Sequence, residues 1–394
     1  MSDIICISHL RWDFVWQRPQ QLLSRLSSTG RLFFVEEPVA PIGTGEPHLE
    51  VFPGRGGPDI TIIRLIYPVE KADWTDMLDA VTHTTWLGHG DPRTQAIYRQ
   101  LLLDYFQAEA SVKEGVLATP VLWLYTPMAL DFVEAINHRV LVYDVMDQLA
   151  AFKNAPPELL QQEEKLLRKA DLVFTGGVSL YQAKQPFNSN VHLFPSGVEA
   201  AHFARAVDRA NFPKPAELAG LAQPILGYYG VIDERMDFPL LVEVAEARPD
   251  WNIVLVGPLA KIMPEDLPRL PNLHYPGGKS YEELPAYLAY FDVALVPFLI
   301  NETTRYLSPT KTLEYMAAYK PIVSTPINDV VELFGEVVRI ADTPAEFVSQ
   351  VEAVLQAGNA GNQAMKSKED ELLERYSWDC LAGQMRELID QYNT

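Results

Sequence analysis

The stretch Ser308-Pro309-Thr310-Lys311-Thr312-Leu313-Glu314-Tyr315-Met316-Ala317-Ala318-Tyr319-Lys320-Pro321 lies between two short apolar runs. Val293-Ala294-Leu295-Val296-Pro297 precedes it and Ile322-Val323-Ser324 follows it. Runs of this length and content read as buried parallel strands. The segment between them reads as a helix with Ser308 as N-cap and Pro309 at the first helical position, where its missing N–H costs nothing. A helix opening above a sheet directs unpaired backbone N–H groups at whatever binds there. Lys311 adds a full positive charge in the first turn, so the place suits a phosphate or diphosphate. Glu314, one turn on, can accept hydrogen bonds from hydroxyls beside that phosphate. Phosphate next to vicinal hydroxyls describes a nucleotide sugar. The same residues also spell an ordinary strand–helix–strand unit with a solvated lysine, and the rest of the chain has to decide.

A chain of 394 residues has room for two or three domains, and 48% hydrophobic with 21% charged residues is the composition of a soluble protein with a large core. The formal charge of −20 argues against nucleic acid and against electrostatic docking on anionic lipid. Neither half hides a cationic domain, since 1–200 carries −8 and 201–394 carries −12. Cys6 and Cys380 are too few for a disulfide framework or a thiolate metal site. The run 4–8 has strand length and lacks the basic flank and longer apolar core of a signal peptide. No run of ~18 apolar residues occurs, so no transmembrane segment is expected. A reduced, cytoplasmic protein is the default expectation.

Read in order, 4–8 is the first strand. The segment His9-Leu10-Arg11-Trp12-Asp13-Phe14-Val15-Trp16-Gln17-Arg18-Pro19 follows it. It lacks a G-x-G-x-x-G, which weakens a dinucleotide-binding reading at this end. It gathers aromatic faces with charged hydrogen bonders, which is how sugars and other polyols are held. Alternatively Trp12, Phe14 and Trp16 simply cover the sheet edge. A helix over 19–28 and a strand over 32–35 come next. The Gly- and Pro-rich stretch 38–59 reads as a loop, 60–63 as a strand, and 74–103 as mixed helix and turn. Clear buried strands lie at 121–125 and 140–145, each ending in polar residues. Asp144 and Asp147 stand where open α/β sheets bind ligands, and can serve a substrate hydroxyl or cap the next segment. A helix over 158–170, a strand over 172–175 and a strand over 191–194 complete the first half. The stretch 206–223, with Pro213 and Pro215 and no periodicity, reads as a linker. A second alternating set then begins, with strands at 225–229, 251–256, 273–275 and 293–297 and helices after 235 and over 281–290. A final helix over 378–391 puts Leu381, Met385, Leu388 and Tyr392 on one stripe. Alternating strand and helix in both halves implies parallel sheets, hence α/β architecture with two Rossmann-like doubly wound domains facing across a cleft.

The chain resembles the retaining GT-B glycosyltransferases, close to glycosyltransferase family 4, over essentially its whole length. The residues that carry the likeness are Gly197-Val198-Glu199, the stretch 227–235, 272–277 with 281–284, the Ser-Pro-x-Lys variant at 308–321, and Ser377-Trp378. The resemblance implies an N-terminal acceptor-side domain (1–205), a linker (206–223) and a C-terminal nucleotide-sugar domain (224–374). It also implies a terminal helix (375–394) packing back on the N-terminal domain. It implies transfer of a sugar, with retention and without a metal, from a nucleotide-diphosphate sugar to the hydroxyl of a glycan, a lipid-linked sugar or a small molecule. No cofactor is expected beyond the donor itself. Gly230, Arg235, Tyr275, Tyr306, Ser308, Pro309, Thr310, Lys311 and Glu314 are the expected donor contacts, with Arg235 and Lys311 clamping the diphosphate. His9 is expected beside the reacting sugar, and Arg11, Trp12, Asp13, Arg18 and Asp147 on the acceptor side. Two positions depart from the family pattern. Tyr306 replaces the first of two glutamates seven residues apart, of which Glu314 is the second. Val231 replaces an arginine directly after Gly230. These departures keep open a non-catalytic nucleotide-sugar-binding scaffold, and a GT-B sugar-nucleotide epimerase is a second alternative.

Overall fold

The computed structural model describes residues 3–13, 16–41, 43–68, 91–112, 119–151, 155–302 and 304–392. The chain is α/β and divides into two compact Rossmann-like units. The first comprises 1–176, 180–194 and 381–394, and the second 177–179 and 195–380. Phe14 and the stretch 74–90, both read above from sequence, lie outside the described residues.

The first unit is built on strands β1 (Ile4–Ile7), β2 (Leu32–Val35), β3 (His48–Pro53), β4 (Ile60–Ile66), β5 (Val121–Leu124), β6 (Val140–Val145), β7 (Leu172–Thr175) and β8 (Val191–Leu193). They lie in the order β3-β4-β2-β1-β5-β6-β7-β8. Every neighbouring pair is parallel except β3 with β4. The parallel strands are apolar throughout because both faces are covered, and β1, β2, β5, β6 and β7 are buried at every residue. β3 corrects the expectation of a loop over 38–59. It is an edge strand with no fully buried residue, so its side chains carry no core signal. Pro53 ends it, where a missing N–H is tolerated. Residues 381–392 also pack in this unit. Arg386 donates to the Arg25 carbonyl at 2.7 Å, and the Tyr392 hydroxyl donates to the Asp171 carbonyl at 3.1 Å.

The second unit holds β9 (Ile225–Tyr229), β10 (Asn252–Val256), β11 (Leu273–His274), β12 (Val293–Val296), β13 (Ile322–Ser324) and β14 (Arg339–Ile340). The order is β11-β10-β9-β12-β13-β14, all parallel. The chain winds outward from β9 in one direction and returns through β12 in the other, so a topological switch point lies between these two strands. Gly227 on β9 has no substitute, because a Cβ there would run into the Phe291 ring. The stretch 206–223 is ordered against this unit rather than free. Ala206 and Leu218 are fully buried, and Arg209 donates to the Ala289 carbonyl at 2.8 Å and to Asp292 at 2.7 Å. Among the described residues no helix is long and apolar enough to cross a membrane.

Candidate active site

In the second unit the switch point brings together the residues after β9 and those after β12. β9 runs into Gly230, whose φ of +142° is open to glycine and strained for other residues. A Cβ on Gly230 would stand 2.7 Å from Lys311 Cε and 2.7 Å from the Tyr228 hydroxyl oxygen. The bare backbone at 230 therefore leaves room for the Lys311 stem. Lys311 has no hydrogen bond or ion pair among the described residues, although it acts electrostatically on Glu314. A cation left unpaired beside backbone at a switch point is available to a ligand anion.

The helix carrying these residues starts later than the sequence implies. It spans Lys311–Ala317, and Thr310, not Ser308, holds the N-cap position, already with helical φ and ψ of −59° and −28° and without a side-chain cap. The turn before it is tight. The Pro309 carbonyl accepts from Thr312 N–H at 3.3 Å, and the Thr310 carbonyl accepts from Leu313 at 3.1 Å and Glu314 at 3.3 Å. This is the 3₁₀-like entry common at helix starts. Ser308 and Pro309 consequently lie ahead of the helix, outside any regular element.

Glu314 is held above the ordinary carboxylate range by burial, and the Lys311 ammonium, the Tyr229 hydroxyl and the His202 imidazole oppose that shift. The Tyr229 hydroxyl is buried and lies near Glu314 without completing a hydrogen bond of full geometry. A carboxylate enclosed in this way, with unspent acceptor capacity, suits a ligand that brings hydroxyl donors.

Arg235 is committed elsewhere. Its guanidinium meets both oxygens of buried Asp233 at 2.7 to 3.0 Å, and its carbonyl accepts from Leu299 N–H at 2.9 Å. The pair carries no net charge toward a diphosphate. Tyr275 also makes a structural contact, donating to the Pro268 carbonyl at 3.1 Å, and burial pushes its hydroxyl up to about 12. Tyr306 is half-buried, with the Arg305 guanidinium 5.6 Å from its ring centre.

In the first unit, β1 and β5 are adjacent and form the corresponding switch point. His9 follows β1. Burial lowers its pKa to about 4, so the imidazole is neutral at pH 7, and its Nδ1 has no partner. Most of the acceptor-side residues expected from sequence are occupied. Trp12 is fully buried, edge-on to Phe34 at 4.9 Å, with its indole N–H given to the Arg55 carbonyl at 2.9 Å. It fills the core and offers no face to a ligand. Arg11 donates to Glu36 at 3.1 Å and to the Glu37 carbonyl at 2.5 Å. Arg18 and Asp144 form a buried pair at 2.8 Å, and Arg18 also donates to the Phe194 carbonyl at 2.6 Å. Asp13 is exposed and paired with Arg55 at 2.9 Å. Asp147 is half-buried on the loop after β6. Trp16, 37% exposed, is the loop tryptophan that reaches solvent.

Sequence reasoning passed over Asp233, whose only signal is its place two residues before Arg235. It also passed over Glu37, which burial raises to about 8, and over His202, which acts on Glu314. Among the described residues no group of three or more His, Cys, Asp or Glu is arranged to hold a metal ion.

Residues 223–357 match the family described as glycosyl transferases group 1. The chain is 26% identical over 264 residues to the putative teichuronic acid biosynthesis glycosyltransferase TuaH of Bacillus subtilis (strain 168). That match covers 62% of this chain and 65% of the relative, just under two thirds of its length. Among solved structures, sucrose-phosphate synthase from Thermosynechococcus elongatus superposes with a TM-score of 0.66 at 16% identity, over 99% of both chains. A UDP-forming α,α-trehalose-phosphate synthase from Burkholderia xenovorans gives 0.66 at 14% identity, over 100% of both. An E. coli trehalose-6-phosphate structure bound with UDP-2-fluoro glucose gives 0.67 at 13% identity, over 100% of this chain and 99% of that one. The fold is thus GT-B. The chain has the GT-B fold, and its residues 223–357 are similar to the group 1 glycosyl transferases.

Proposed function

We propose that the protein transfers a sugar from a nucleotide-diphosphate sugar to an acceptor hydroxyl, with retention of anomeric configuration and without a metal ion. The observation that carries this reading is Lys311. Its ammonium is unpaired among the described residues, its stem crosses the bare backbone of Gly230, and it stands one helical turn from the enclosed carboxylate of Glu314. A positive charge suited to phosphate and an acceptor suited to ribose, both at the switch point of a parallel sheet, support this reading. The group 1 match covers these same residues, and a solved structure of this fold is described as binding a UDP-sugar analogue.

In this reading the bond from the sugar's anomeric carbon to the diphosphate oxygen breaks, and the acceptor oxygen bonds the same carbon on the same face. The acceptor proton passes to the departing diphosphate, so no protein nucleophile is required. The protein's contribution is position and charge: Lys311 faces the developing negative charge while Glu314 fixes the nucleoside end. The acceptor is a glycan, a lipid-linked sugar or a small molecule, and the work takes place in the cytoplasm.

The test is a panel of UDP-, GDP-, ADP- and TDP-sugars, each incubated with hydroxyl acceptors and assayed for nucleoside diphosphate release and for product. Acceptor-dependent release supports the transferase. Donor consumption without acceptor indicates the epimerase. Nucleotide binding with no turnover of any donor indicates a scaffold.

A further inference from the structure

Three side chains outside the expected donor contacts converge behind Glu314 in the second unit. Glu199 holds the N-cap position of the short helix Ala200–Ala204, yet its carboxylate caps nothing. It accepts instead from the Tyr281 hydroxyl at 3.0 Å. Burial and the Glu199 carboxylate push that phenol far above its usual range, so it stays a donor at any working pH. The Tyr281 ring lies flat on the His202 imidazole, with centroids 4.1 Å apart and planes within 12°. His202 Nε2 is 3.0 Å from the Tyr281 carbonyl. A carbonyl can only accept, so this nitrogen carries hydrogen, while Nδ1 on the other side of the ring faces the Glu282 carboxylate at 3.9 Å. Phe203 closes the cluster, edge-on to Tyr281 at 5.5 Å and parallel to Tyr229 at 6.0 Å. The His202 ring and the Tyr229 hydroxyl both act on Glu314, opposing the upward push of burial on its carboxyl. The helix Ala200–Ala204 also packs against the helix that carries Glu314.

The hydrogen bond from 41%-exposed Tyr281 to half-buried Glu199 is by itself worth about 1 kcal/mol to folding. The common effect of these contacts is geometric: Glu199 fixes Tyr281, Tyr281 fixes the ring plane of His202 and takes the hydrogen on its Nε2, and the short helix carrying His202 packs on the helix that carries Glu314. We infer that Glu199, Tyr281 and His202 are positioning residues that hold Glu314 in the orientation that receives the ribose hydroxyls of the donor nucleotide. The inference rests on the donor reading of Glu314 given above.

The test separates the two. Calorimetric titration of UDP, GDP and ADP, and of their 2′,3′-dideoxy counterparts, is run on the intact chain and on Glu314→Gln, Tyr281→Phe, Tyr281→Ala and Glu199→Gln. Tyr281→Ala should weaken the ribonucleotide about tenfold, the size of one hydrogen-bonding contact, and leave the dideoxynucleotide unchanged. Tyr281→Phe, which keeps the stack, should lose less, and Glu199→Gln should behave like Tyr281→Phe. A purely structural role would weaken both nucleotide classes alike and would overturn the inference. If Glu314→Gln is selective for the ribonucleotide while none of the other variants is, the inference fails and the donor reading stands. If Glu314→Gln shows no ribose selectivity, the donor reading itself fails and the inference falls with it. Tyr281→Phe and Glu199→Gln are mild enough to report even if Tyr281→Ala does not fold.

Discussion

Asp233 binds the guanidinium of Arg235 from two residues away, its carboxylate oxygens 2.7 to 3.0 Å from Nε and Nη2. A phosphate that recruited Arg235 would have to compete with an acid that is 3% exposed and cannot be left unpaired cheaply. Lys311 faces no such competition. Lys311→Ala is therefore expected to cost about 1.5–3 kcal/mol of nucleoside diphosphate affinity, roughly 10- to 150-fold. Arg235→Ala should cost less affinity and lower the melting temperature, because Asp233 is then stranded. Calorimetry and thermal unfolding on the two variants check this. Turnover should persist in excess chelator, and strict dependence on added Mg²⁺ or Mn²⁺ would contradict the role given to Lys311.

Glu314 supplies the pH dependence. Burial raises its pKa above the ordinary carboxylate value, so on acidification it takes up a proton sooner than an exposed glutamate would. The protonated acid has lost half its acceptor capacity for two hydroxyls. Ribonucleotide affinity should thus be full at neutral pH and decline on acidification, beginning above the range in which free glutamate titrates. The same shift has the opposite sign for folding. The native state holds the Glu314 proton more tightly than the unfolded chain, so this group favours the native state most at low pH and loses that contribution as pH rises. Glu314→Gln should flatten the binding profile and hold it at a weakened level, about 1.5–3 kcal/mol below the neutral-pH value of the intact protein. Affinity measured across pH for both proteins decides it, and an unchanged slope in the variant would assign the titration to another group.

How far the sequence carried is visible in single residues. The strands at 140–145, 225–229 and 293–296 were legible because a parallel strand covered on both faces must be apolar along its length. β3 was not, because it lies on the sheet edge with no fully buried residue, and Gly45, Pro47 and Gly54 around it read as turns. The helix Pro344–Arg375 was missed, since Gly358, at a φ of +52°, breaks it in the middle. At the site, Lys311 and Glu314 announce themselves by residue type and spacing. The state of Arg235 depends on the turn that folds Asp233 back on it, and that turn has no sequence signature. Arginine beside aspartate reads equally as a free cation and as a closed pair.

Trp12 shows the same ambiguity with a measurable consequence. As a loop aromatic it reads either as a sugar-stacking face or as a plug, and its complete burial makes it a plug. Trp12→Ala is expected to destabilise the protein by about 3–5 kcal/mol, the usual cost of emptying a large aromatic site. It should change the KM for acceptor only as far as the fold is disturbed. Trp16, 37% exposed and edge-on to Trp12 at 5.8 Å, is the residue whose removal should leave the melting temperature nearly unchanged. A rise in acceptor KM in Trp16→Ala without thermal loss would give the loop an acceptor-binding role. A rise in Trp12→Ala at full stability would reverse the assignment made here.

Tyr306 bears on what kind of donor is used. It stands where the family resemblance places a glutamate that would hold sugar hydroxyls, and in the structure it is half-buried with the Arg305 guanidinium 5.6 Å from its ring centre. Glutamate offers two charged acceptor oxygens, whereas a phenol offers one hydroxyl and an apolar face. A sugar that lacks a hydroxyl, or carries a methyl in its place, loses nothing against the ring but would leave a glutamate unsatisfied. The difference for one such contact is about 1–3 kcal/mol, enough to reorder donors and too little to abolish transfer while Lys311 still faces the diphosphate. Tyr306→Phe is accordingly expected to alter the ranking of kcat/KM across a panel of hexose and deoxyhexose donors and to leave nucleoside diphosphate affinity nearly intact. Tyr306→Glu should move preference toward fully hydroxylated sugars. Proton NMR of the product reads the anomeric configuration in the same experiment, and an inverted product would remove the same-face mechanism whatever the donor ranking showed.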